Sequence, residues 1–193
     1  MSARRVCRNS RAYNPLRGYY FQEKFMNKSE ANLNSAFAGE SQANRKYLAF
    51  AMQAEKEGFT QAAKLFRAAA EAETVHAMNH IKAVGEVKST LDNLNAALGG
   101  ETYEFQKMYP EFLAAAKEEK NKQAAWSFDV ANKVEAVHAK LYQKAIDSVK
   151  AKKEMAKVDY YVCGTCGNTI EGEPTFDKCP ICGAPRAQFF KAP

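Results

Sequence analysis

The chain has 193 residues, of which 46% are hydrophobic and 26% are charged, and its formal net charge is +6. This length suffices for one domain of ordinary size and a second small one, and no stretch approaches the roughly 18 consecutive apolar residues that cross a membrane. Most of the excess positive charge lies in residues 1–26, which hold six basic residues and one acidic residue. The rest of the chain is nearly neutral, which argues against nucleic acid and membranes as partners.

Residues 1–26 are predicted to be a basic tail, either disordered or a leader segment. Their Arg-rich, acid-poor composition is typical of an organelle transit peptide, but it is equally compatible with sequence placed upstream of a start at Met26. Cys7 is interpreted as an incidental thiol, because no second cysteine lies near it in the sequence. No function is assigned to this tail.

The next segments predict a pair of helices joined by a tight turn. Apolar and small residues recur at helical spacing over residues 29–57, with Ser29 as the expected N-cap. Gly58 ends this helix, and Thr60 is placed to cap a second one that extends to the residue before Gly85.

Residues 85–100 contain three glycines, two asparagines, Ser89, Thr90 and Asp92, and this turn chemistry predicts a long connection with at most one short helix. A third helix is predicted over residues 101–119, interrupted or restarted near Pro110, and a fourth over residues 122–151. Helices joined by short, long and short connections are typical of the ferritin-like four-helix bundle. The predicted fold class is therefore mainly α, with this bundle over residues 27–151.

The second and fourth helices resemble each other. Residues 62–84 laid on residues 124–146 agree at ten of 23 positions, including a glutamate and a histidine. This agreement indicates a duplicated helix pair with approximate twofold symmetry.

Both helices carry the motif Glu-x-x-His, as Glu73-Thr-Val-His76 and Glu135-Ala-Val-His138. This spacing puts a carboxylate and an imidazole one turn apart on one helical face, where they can grip a metal ion. A single such motif on a helix is usually a surface pair, but two at matching repeat positions favour a metal site. Di-iron carboxylate bundles have two such helices plus one glutamate from each of the other two.

The two remaining glutamates are predicted to be Glu40 and Glu104. Each lies among apolar residues of its helix, where an unpaired carboxylate would cost several kcal/mol. Four carboxylates and two imidazoles suit two iron ions. Tyr47 and Tyr109 are either core residues or phenols that donate to metal-bound carboxylates.

After a charged linker over residues 152–157, residues 158–193 form a second, cysteine-rich domain. Two Cys-x-x-Cys pairs predict tetrahedral thiolate ligation of one metal ion by Cys163, Cys166, Cys179 and Cys182. The spacing predicts a metal without choosing between structural zinc and a single redox-active iron, although an electron supply for the bundle favours iron. Reduced thiolates predict a cytoplasmic location, or an organelle if the tail is a transit peptide.

These features together resemble the rubrerythrin family over about residues 27–191. The resemblance rests on Ala36-Phe-Ala-Gly-Glu-Ser-Gln-Ala43, both Glu-x-x-His helices, Met108-Tyr-Pro-Glu-Phe112 and the two cysteine motifs of a rubredoxin-like domain. It implies that Glu40, Glu73 and His76 serve one iron, that Glu104, Glu135 and His138 serve the other, and that Glu73 and Glu135 bridge the two ions.

The resemblance also implies a reaction and partners. It implies reduction of hydrogen peroxide to water, with electrons passed by the rubredoxin-like iron from rubredoxin or from a reductase that uses NADH or NADPH. It implies a homodimer or larger assembly, in which the rubredoxin-like centre of one subunit approaches the di-iron site of another. The alternative function is ferroxidase activity or iron storage, and a zinc-stabilised interaction protein is a third interpretation.

Lys107 departs from the family pattern, because many rubrerythrins have a glutamate directly before Met-Tyr-Pro. The resemblance thus implies one missing carboxylate ligand. Two consequences are predicted: His76 stays a ligand in both redox states, and the di-iron potential lies above that of a Lys107→Glu variant.

Overall fold

The computed structural model describes residues 27–193. The predictions for residues 1–26, including Cys7, lie outside the described residues. The described chain divides into two compact units, residues 27–88 and residues 89–193.

The first unit is a pair of helices, α1 (Lys28–Lys56) and α2 (Thr60–Val84). Small side chains form the seam between them, and this allows the two backbones to approach closely. The buried residues are all alanines: Ala51, Ala54, Ala63, Ala70 and Ala77.

The helix ends in this unit follow the expected signals with two corrections. Asn27, rather than Ser29, caps α1: its side-chain oxygen accepts a hydrogen bond from the Glu30 amide at 2.9 Å. Thr60 is the first residue of α2 and makes no side-chain cap. Gly58 and Gly85 follow the two helices as expected, and both adopt a positive φ that glycine tolerates without strain.

The second unit begins with a helix that the sequence interpretation placed wrongly. The helix α3 spans Thr90–Tyr103 and is capped by Ser89, whose hydroxyl accepts from the Asp92 amide at 3.2 Å. The long connection predicted over residues 85–100 is therefore short. The asparagines and glycines of that stretch were interpreted as turn residues, although leucines recur in it at helical spacing and are half-buried in the structure.

A π-helical turn, Glu104–Met108, separates α3 from α4 (Tyr109–Glu118). Its defining hydrogen bond runs from the Tyr109 amide to the Glu104 carbonyl, five residues back. The predicted interruption near Pro110 is thus real, but it lies just before the proline, which sits in the first turn of α4. The last helix, α5, spans Lys122–Lys150, close to its prediction.

The cysteine-rich segment folds into three short antiparallel strands: β1 (Tyr160–Cys163), β2 (Thr169–Glu171) and β3 (Phe189–Lys191). The strand order is β2-β1-β3, with β1 in the centre. Strand β2 contacts helix α5 within this unit. Within residues 27–193, no helix is long and apolar enough to span a membrane.

Candidate metal centres

Among residues 27–193, three groups of side chains could each hold a metal ion. In the first group, Glu40 on α1 meets Glu73 and His76 on α2, with ligand atoms within 4.8 Å of one another. His76 Nδ1 lies 3.0 Å from Glu73 Oε2, as expected for residues one helical turn apart. The His76 side chain is 53% exposed. The structure brings together all three residues predicted for this half of the site.

The two carboxyl groups of this cluster affect each other's ionisation. The Glu73 carboxyl raises the pKa of Glu40, whereas Glu40 and His76 lower the pKa of Glu73. A cation bound between them would favour the deprotonated form of both groups.

The second cluster joins Glu101 on α3 to Glu135 and His138 on α5. His138 Nδ1 lies 2.7 Å from Glu135 Oε2 and 3.9 Å from Glu101 Oε1. The side chains of His138 and Glu101 are 26% and 20% exposed. This cluster is therefore more enclosed than the first around its histidine.

Burial and neighbouring charge shift the ionisation of this second cluster. Burial and the Glu135 carboxylate raise the pKa of Glu101 to about 7. The hydrogen bond to Glu135 raises the pKa of His138, although burial opposes the shift. Burial, and then Glu135, also raise the pKa of Glu104. Negative charge is crowded here, as it is at sites that bind cations.

Glu101 occupies the place that the sequence interpretation gave to Glu104. Glu101 was interpreted as solvated, and that was wrong because its side chain is only 20% exposed and points at the cluster. Glu104 lies on the π-helical turn, outside the group within 4.8 Å, yet it is partly buried and Glu135 affects its ionisation. Its role as a ligand stays a prediction.

The internal repeat held the signal that identifies Glu101. Residues 32–40 read NLNSAFAGE and residues 93–101 read NLNAALGGE, an offset of 61 that pairs Glu40 with Glu101. The offset between α2 and α5 is 62. The π-helical turn accommodates the one extra residue, and such turns often mark functional sites. The offset of 62 that relates α2 to α5 therefore does not reveal this match.

The two tyrosines occupy equivalent aromatic trios. Tyr47 packs with Phe50 and Phe66 at ring-centroid distances of 6.3 Å and 6.3 Å. Tyr109 packs with Phe112 and Phe128 at 6.4 Å and 6.3 Å. Burial, and then Glu104 and Glu135, raise the pKa of the Tyr109 phenol, which therefore stays protonated beside the carboxylates. Packing explains both residues, and their catalytic roles stay predictions.

Lys107 is an exposed residue of the π-helical turn. The implied shortage of ligands rested on a count of four carboxylates, and Glu101 adds a fifth. That His76 remains a ligand in both redox states stays a prediction.

The third group is the four-cysteine cluster, with all four Sγ atoms within 4.8 Å. Sγ distances are 3.8 Å between Cys163 and Cys182 and 3.7 Å between Cys166 and Cys179. Each Cys-x-x-Cys turn closes with an amide donating back to the first cysteine carbonyl, from Gly167 and Gly183. Both glycines have a positive φ.

Hydrogen bonds stabilise the thiolate form of one cysteine in this group. The buried Asn168 directs its Nδ2 at Cys179 Sγ over 3.8 Å. Burial opposes ionisation of Cys179, but backbone amides of Cys182 and Ile181 lower its pKa to about 7. Four converging sulfurs suit tetrahedral iron or zinc, whereas the carboxylate–imidazole clusters suit a harder ion such as ferrous or ferric iron. The donor sets of all three groups thus fit the predicted metals.

Comparison with protein families gives two matches. The model described as "Rubrerythrin" matches residues 31–146, and the model described as "Rubrerythrin, rubredoxin-like domain" matches residues 161–190. The chain is 35% identical over 171 residues to rubrerythrin-2 of Clostridium acetobutylicum, a match covering 81% of this chain and 92% of that protein. It is 36% identical to nigerythrin of Nitratidesulfovibrio vulgaris, over 82% of this chain and 83% of that one.

Solved structures give the same relationship. Nigerythrin in a partially reduced state aligns with a TM-score of 0.50 and 31% identity, with both chains fully covered. Fully reduced, all-ferrous nigerythrin aligns equally well. The family matches confirm the ferritin-like fold class and the rubredoxin-like nature of the C-terminal segment. Together with the three metal-binding groups, they show that the chain belongs to the rubrerythrin family.

Proposed function

We propose that this protein is a non-haem di-iron peroxidase that reduces hydrogen peroxide to water as a defence against oxidative stress. One observation carries the proposal: the same chain holds two carboxylate–imidazole clusters and a separate four-thiolate cluster. The first kind of cluster suits iron that reacts with oxygen species, and the second suits iron that passes single electrons. A storage protein needs no four-thiolate centre.

The proposed ligands are Glu40, Glu73 and His76 for one iron and Glu135, His138 and Glu101 for the other. Glu104 is retained as a further candidate. Bridging of the ions by Glu73 and Glu135 stays part of the proposal, as the family resemblance implies it. Bound iron would supply the two electrons that break the O–O bond of peroxide.

Residues of the chain would hold the protons and dipoles that this chemistry needs. The Glu101 carboxyl, with its pKa of about 7, gives up its proton when a cation binds at this cluster. The Tyr109 phenol remains protonated and is able to donate a hydrogen bond to a nearby carboxylate. Both groups are partly buried, which limits water around the reacting oxygen.

We propose electron donors and a setting as well. Rubredoxin, or a reductase that uses NADH or NADPH, would reduce the iron held by Cys163, Cys166, Cys179 and Cys182. The protein would act in the cytoplasm as a homodimer or larger homo-oligomer. We retain the domain bounds 27–151, 152–157 and 158–193 in this proposal, with zinc as a possible substitute metal.

Metal analysis and steady-state kinetics test this function. The iron-loaded protein, supplied with a reductase and NADH, should turn over hydrogen peroxide repeatedly. Deletion of residues 158–193 should leave one round of iron oxidation by peroxide and abolish repeated turnover. Unchanged turnover in the truncated protein would exclude the electron relay. Accumulation of a ferric iron core without peroxide turnover would favour the alternative, iron storage or ferroxidase activity.

A further inference from the structure

A side-chain amide joins α1 to α2 beside the first carboxylate cluster. Asn44 follows Glu40 by one helical turn, and its Nδ2 donates to the Ala70 carbonyl at 2.7 Å and to Thr74 Oγ1 at 2.9 Å. Both acceptors lie on α2, and Thr74 directly follows Glu73. The two helices that carry the ligands of this cluster are therefore hydrogen-bonded to each other within one turn of it.

The partners of this amide determine its orientation. The Ala70 carbonyl only accepts hydrogen bonds, so the nitrogen of the Asn44 amide, and not its oxygen, must face α2. The Thr74 hydroxyl donates its own proton to the same carbonyl at 3.2 Å, which leaves the hydroxyl oxygen to accept from Asn44. Both N–H groups of the amide thus have an acceptor on α2, an arrangement that requires a side chain with two donors.

The rest of the α1–α2 seam fixes the position of the helices less sharply. Its buried residues are all alanines, and contacts between methyl groups have no directional preference. Hydrogen bonds, in contrast, weaken steeply when their angle or length changes. A slip of one residue along a helix is a movement of about 1.5 Å, whereas a metal site tolerates deviations of roughly 0.2 Å in its ligand distances. Directional contacts near the ligands therefore matter for this cluster.

The second helix pair lacks the same connection. At the offset of 62 that relates α2 to α5, Thr74 matches Ala136, which has no hydroxyl, and Ala70 matches Asn132. Asn132 Oδ1 is buried and has no hydrogen-bond partner among residues 27–193. The interhelical bonds of Asn44 are thus a feature of the first pair, and their loss should affect the first cluster alone.

We propose that Asn44 is a positioning residue for the first cluster. It fixes α1 against α2 along the helix axes, so that Glu40 lies opposite Glu73 and His76 before a cation binds. Ligands that are already ordered bind more tightly, because less conformational freedom is lost on binding. The role rests on the ligand set proposed above for this half of the site, and it does not depend on the reaction with peroxide.

The first test observes the interhelical bonds while the carboxylate clusters are free of metal. The full chain is given one equivalent of zinc, which the four thiolates should take first. NMR should then show nuclear Overhauser effects between the Asn44 side-chain amide protons and the Thr74 methyl group. Absence of these effects in the native chain would overturn the role of Asn44.

The second test measures zinc affinity at each cluster separately. Further zinc is titrated against a competing chelator, and the ring signals of His76 and His138 report the two clusters. Asn44→Leu has a similar shape, favours a helix at least as well and has no donors, so the variant should remain folded. Zinc binding at His76 should weaken about 10-fold, the lower end of the range for a lost outer partner, while binding at His138 should not change.

Variants of Thr74 should give graded effects. Thr74→Val removes one of the two acceptors and keeps the shape, so its loss of affinity at His76 should be smaller than that of Asn44→Leu. Thr74→Ser keeps the hydroxyl and should bind zinc nearly as the native chain does. A Thr74→Ser variant as weak as Thr74→Val would mean that the hydroxyl is not responsible, and would overturn the hydrogen-bonded arrangement.

Asn34→Leu is the matched control for Asn44→Leu. Asn34 is also half-buried on α1, but its Nδ2 donates at 2.9 Å to the Glu30 carbonyl of the same helix. This variant should leave zinc affinity unchanged at both clusters. Equal losses in Asn34→Leu and Asn44→Leu, equal losses at both clusters, or no loss at His76 in Asn44→Leu would each overturn the positioning role.

The titration also separates this role from the proposed function. A native chain that binds zinc at both clusters but fails to reduce peroxide when loaded with iron would contradict the peroxidase activity, and the zinc affinities would still decide the role of Asn44. A native chain that binds no zinc at His76 would overturn the ligand set and the positioning role together.

Discussion

The two carboxylate–imidazole clusters share a motif but differ in their surroundings. His76 is 53% exposed, whereas His138 is 26% exposed and its Nε2 contacts Thr169. In the first cluster the neighbouring Glu73 carboxyl is the main cause of the raised pKa of Glu40, whereas in the second cluster burial is the main cause that raises the pKa of Glu101 to about 7. The two clusters thus have the same types of ligand, but the two histidines differ in exposure and in their neighbours.

The π-helical turn is the structural cause of a second difference. It begins three residues after Glu101 and adds one residue relative to α1, and Glu104, its first residue, has no acidic counterpart in the first cluster. At the offset of 61, the matching residue is Ala43. The second cluster therefore has a spare carboxylate one turn from Glu101, and the first has none.

The largest expected effect follows from this spare carboxylate. Glu40→Gln should weaken metal binding at the first cluster by more than the roughly 10–100-fold typical of losing an outer partner, because only Glu73 and the exposed His76 remain. Glu101→Gln should weaken metal binding at the second cluster by a smaller factor, since Glu104 is able to replace Glu101 as a ligand. Titration of the metal-free variants with ferrous iron or zinc measures both affinities.

The double variant Glu101→Gln/Glu104→Gln is the decisive comparison for these affinities. Its metal affinity at the second cluster should match that of Glu40→Gln at the first cluster. Each cluster then lacks every acidic ligand from the first helix of its pair. Glu118→Gln, an exposed position on α4, serves as the control. An equal loss in the Glu40→Gln and Glu101→Gln single variants would contradict the role of Glu104 as a reserve ligand.

A pH dependence of stability should distinguish the second unit when metal is absent. The pKa of Glu101 rises from an ordinary 4.5 to about 7 in the folded chain, so the folded state binds an extra proton between these values. Its stabilisation is present below about pH 4.5 and is lost as the pH rises through 7. The raised pKa of His138 acts in the same direction. Discounted for partial exposure, Glu101 contributes about 1 kcal/mol.

Urea unfolding of the metal-free protein at pH 5 and pH 8 measures this contribution. The unfolding midpoint should fall from the lower to the higher pH in the native chain and fall less in Glu101→Gln. A native chain whose midpoint rose between these values would show that the folded state does not hold these protons.

The sequence predicted the types of metal ligand better than it predicted α3, the helix that carries Glu101. Glu73, His76, Glu135 and His138 were found because both motifs sit on helices of strong periodicity. Glu101 was missed because its helix contains Asn93, Asn95, Gly99 and Gly100, residues that favour turns when read locally. Packing of the leucines between them outweighs that preference. A π-helical turn has no signal in local propensity and becomes visible only when repeat offsets are compared.

The contact between Thr169 and His138 was beyond prediction for a different reason. It joins residues 31 positions apart through a loop and a strand, and no periodicity relates the two segments. The four cysteines, by contrast, lie in two short turns whose spacing alone specifies their geometry. Local motifs were therefore predictable, whereas the docking of one domain on another depends on tertiary packing.

The two tyrosines are expected to differ less than the carboxylates of the two clusters do. Tyr109→Phe should slow peroxide turnover a few-fold if this phenol donates to a metal-bound carboxylate as proposed, because losing one such hydrogen bond costs about 1 kcal/mol. Tyr47→Phe should have a smaller effect, since Glu104, one of the charges beside Tyr109, has no counterpart in the first cluster. The equivalent aromatic trios make each variant the packing control for the other. Equal effects on turnover would assign both tyrosines to packing.

The smallest expected effect concerns Lys107, the basic residue of the π-helical turn. Its side chain is exposed, so water and salt screen its charge from the clusters. Lys107→Glu should lower the reduction potential of the iron, because a negative charge stabilises the ferric state. The change should correspond to less than about 1 kcal/mol, the usual limit for exposed charges.

Lys46→Glu, an exposed position on α1 at the offset of 61, supplies the matched control for the first cluster. Spectroelectrochemical titration of both variants would measure the shifts at low and high salt. A shift that persists undiminished at high salt would mean that Lys107 acts through a direct contact with the site, and the two clusters would then differ in charge as well as in burial.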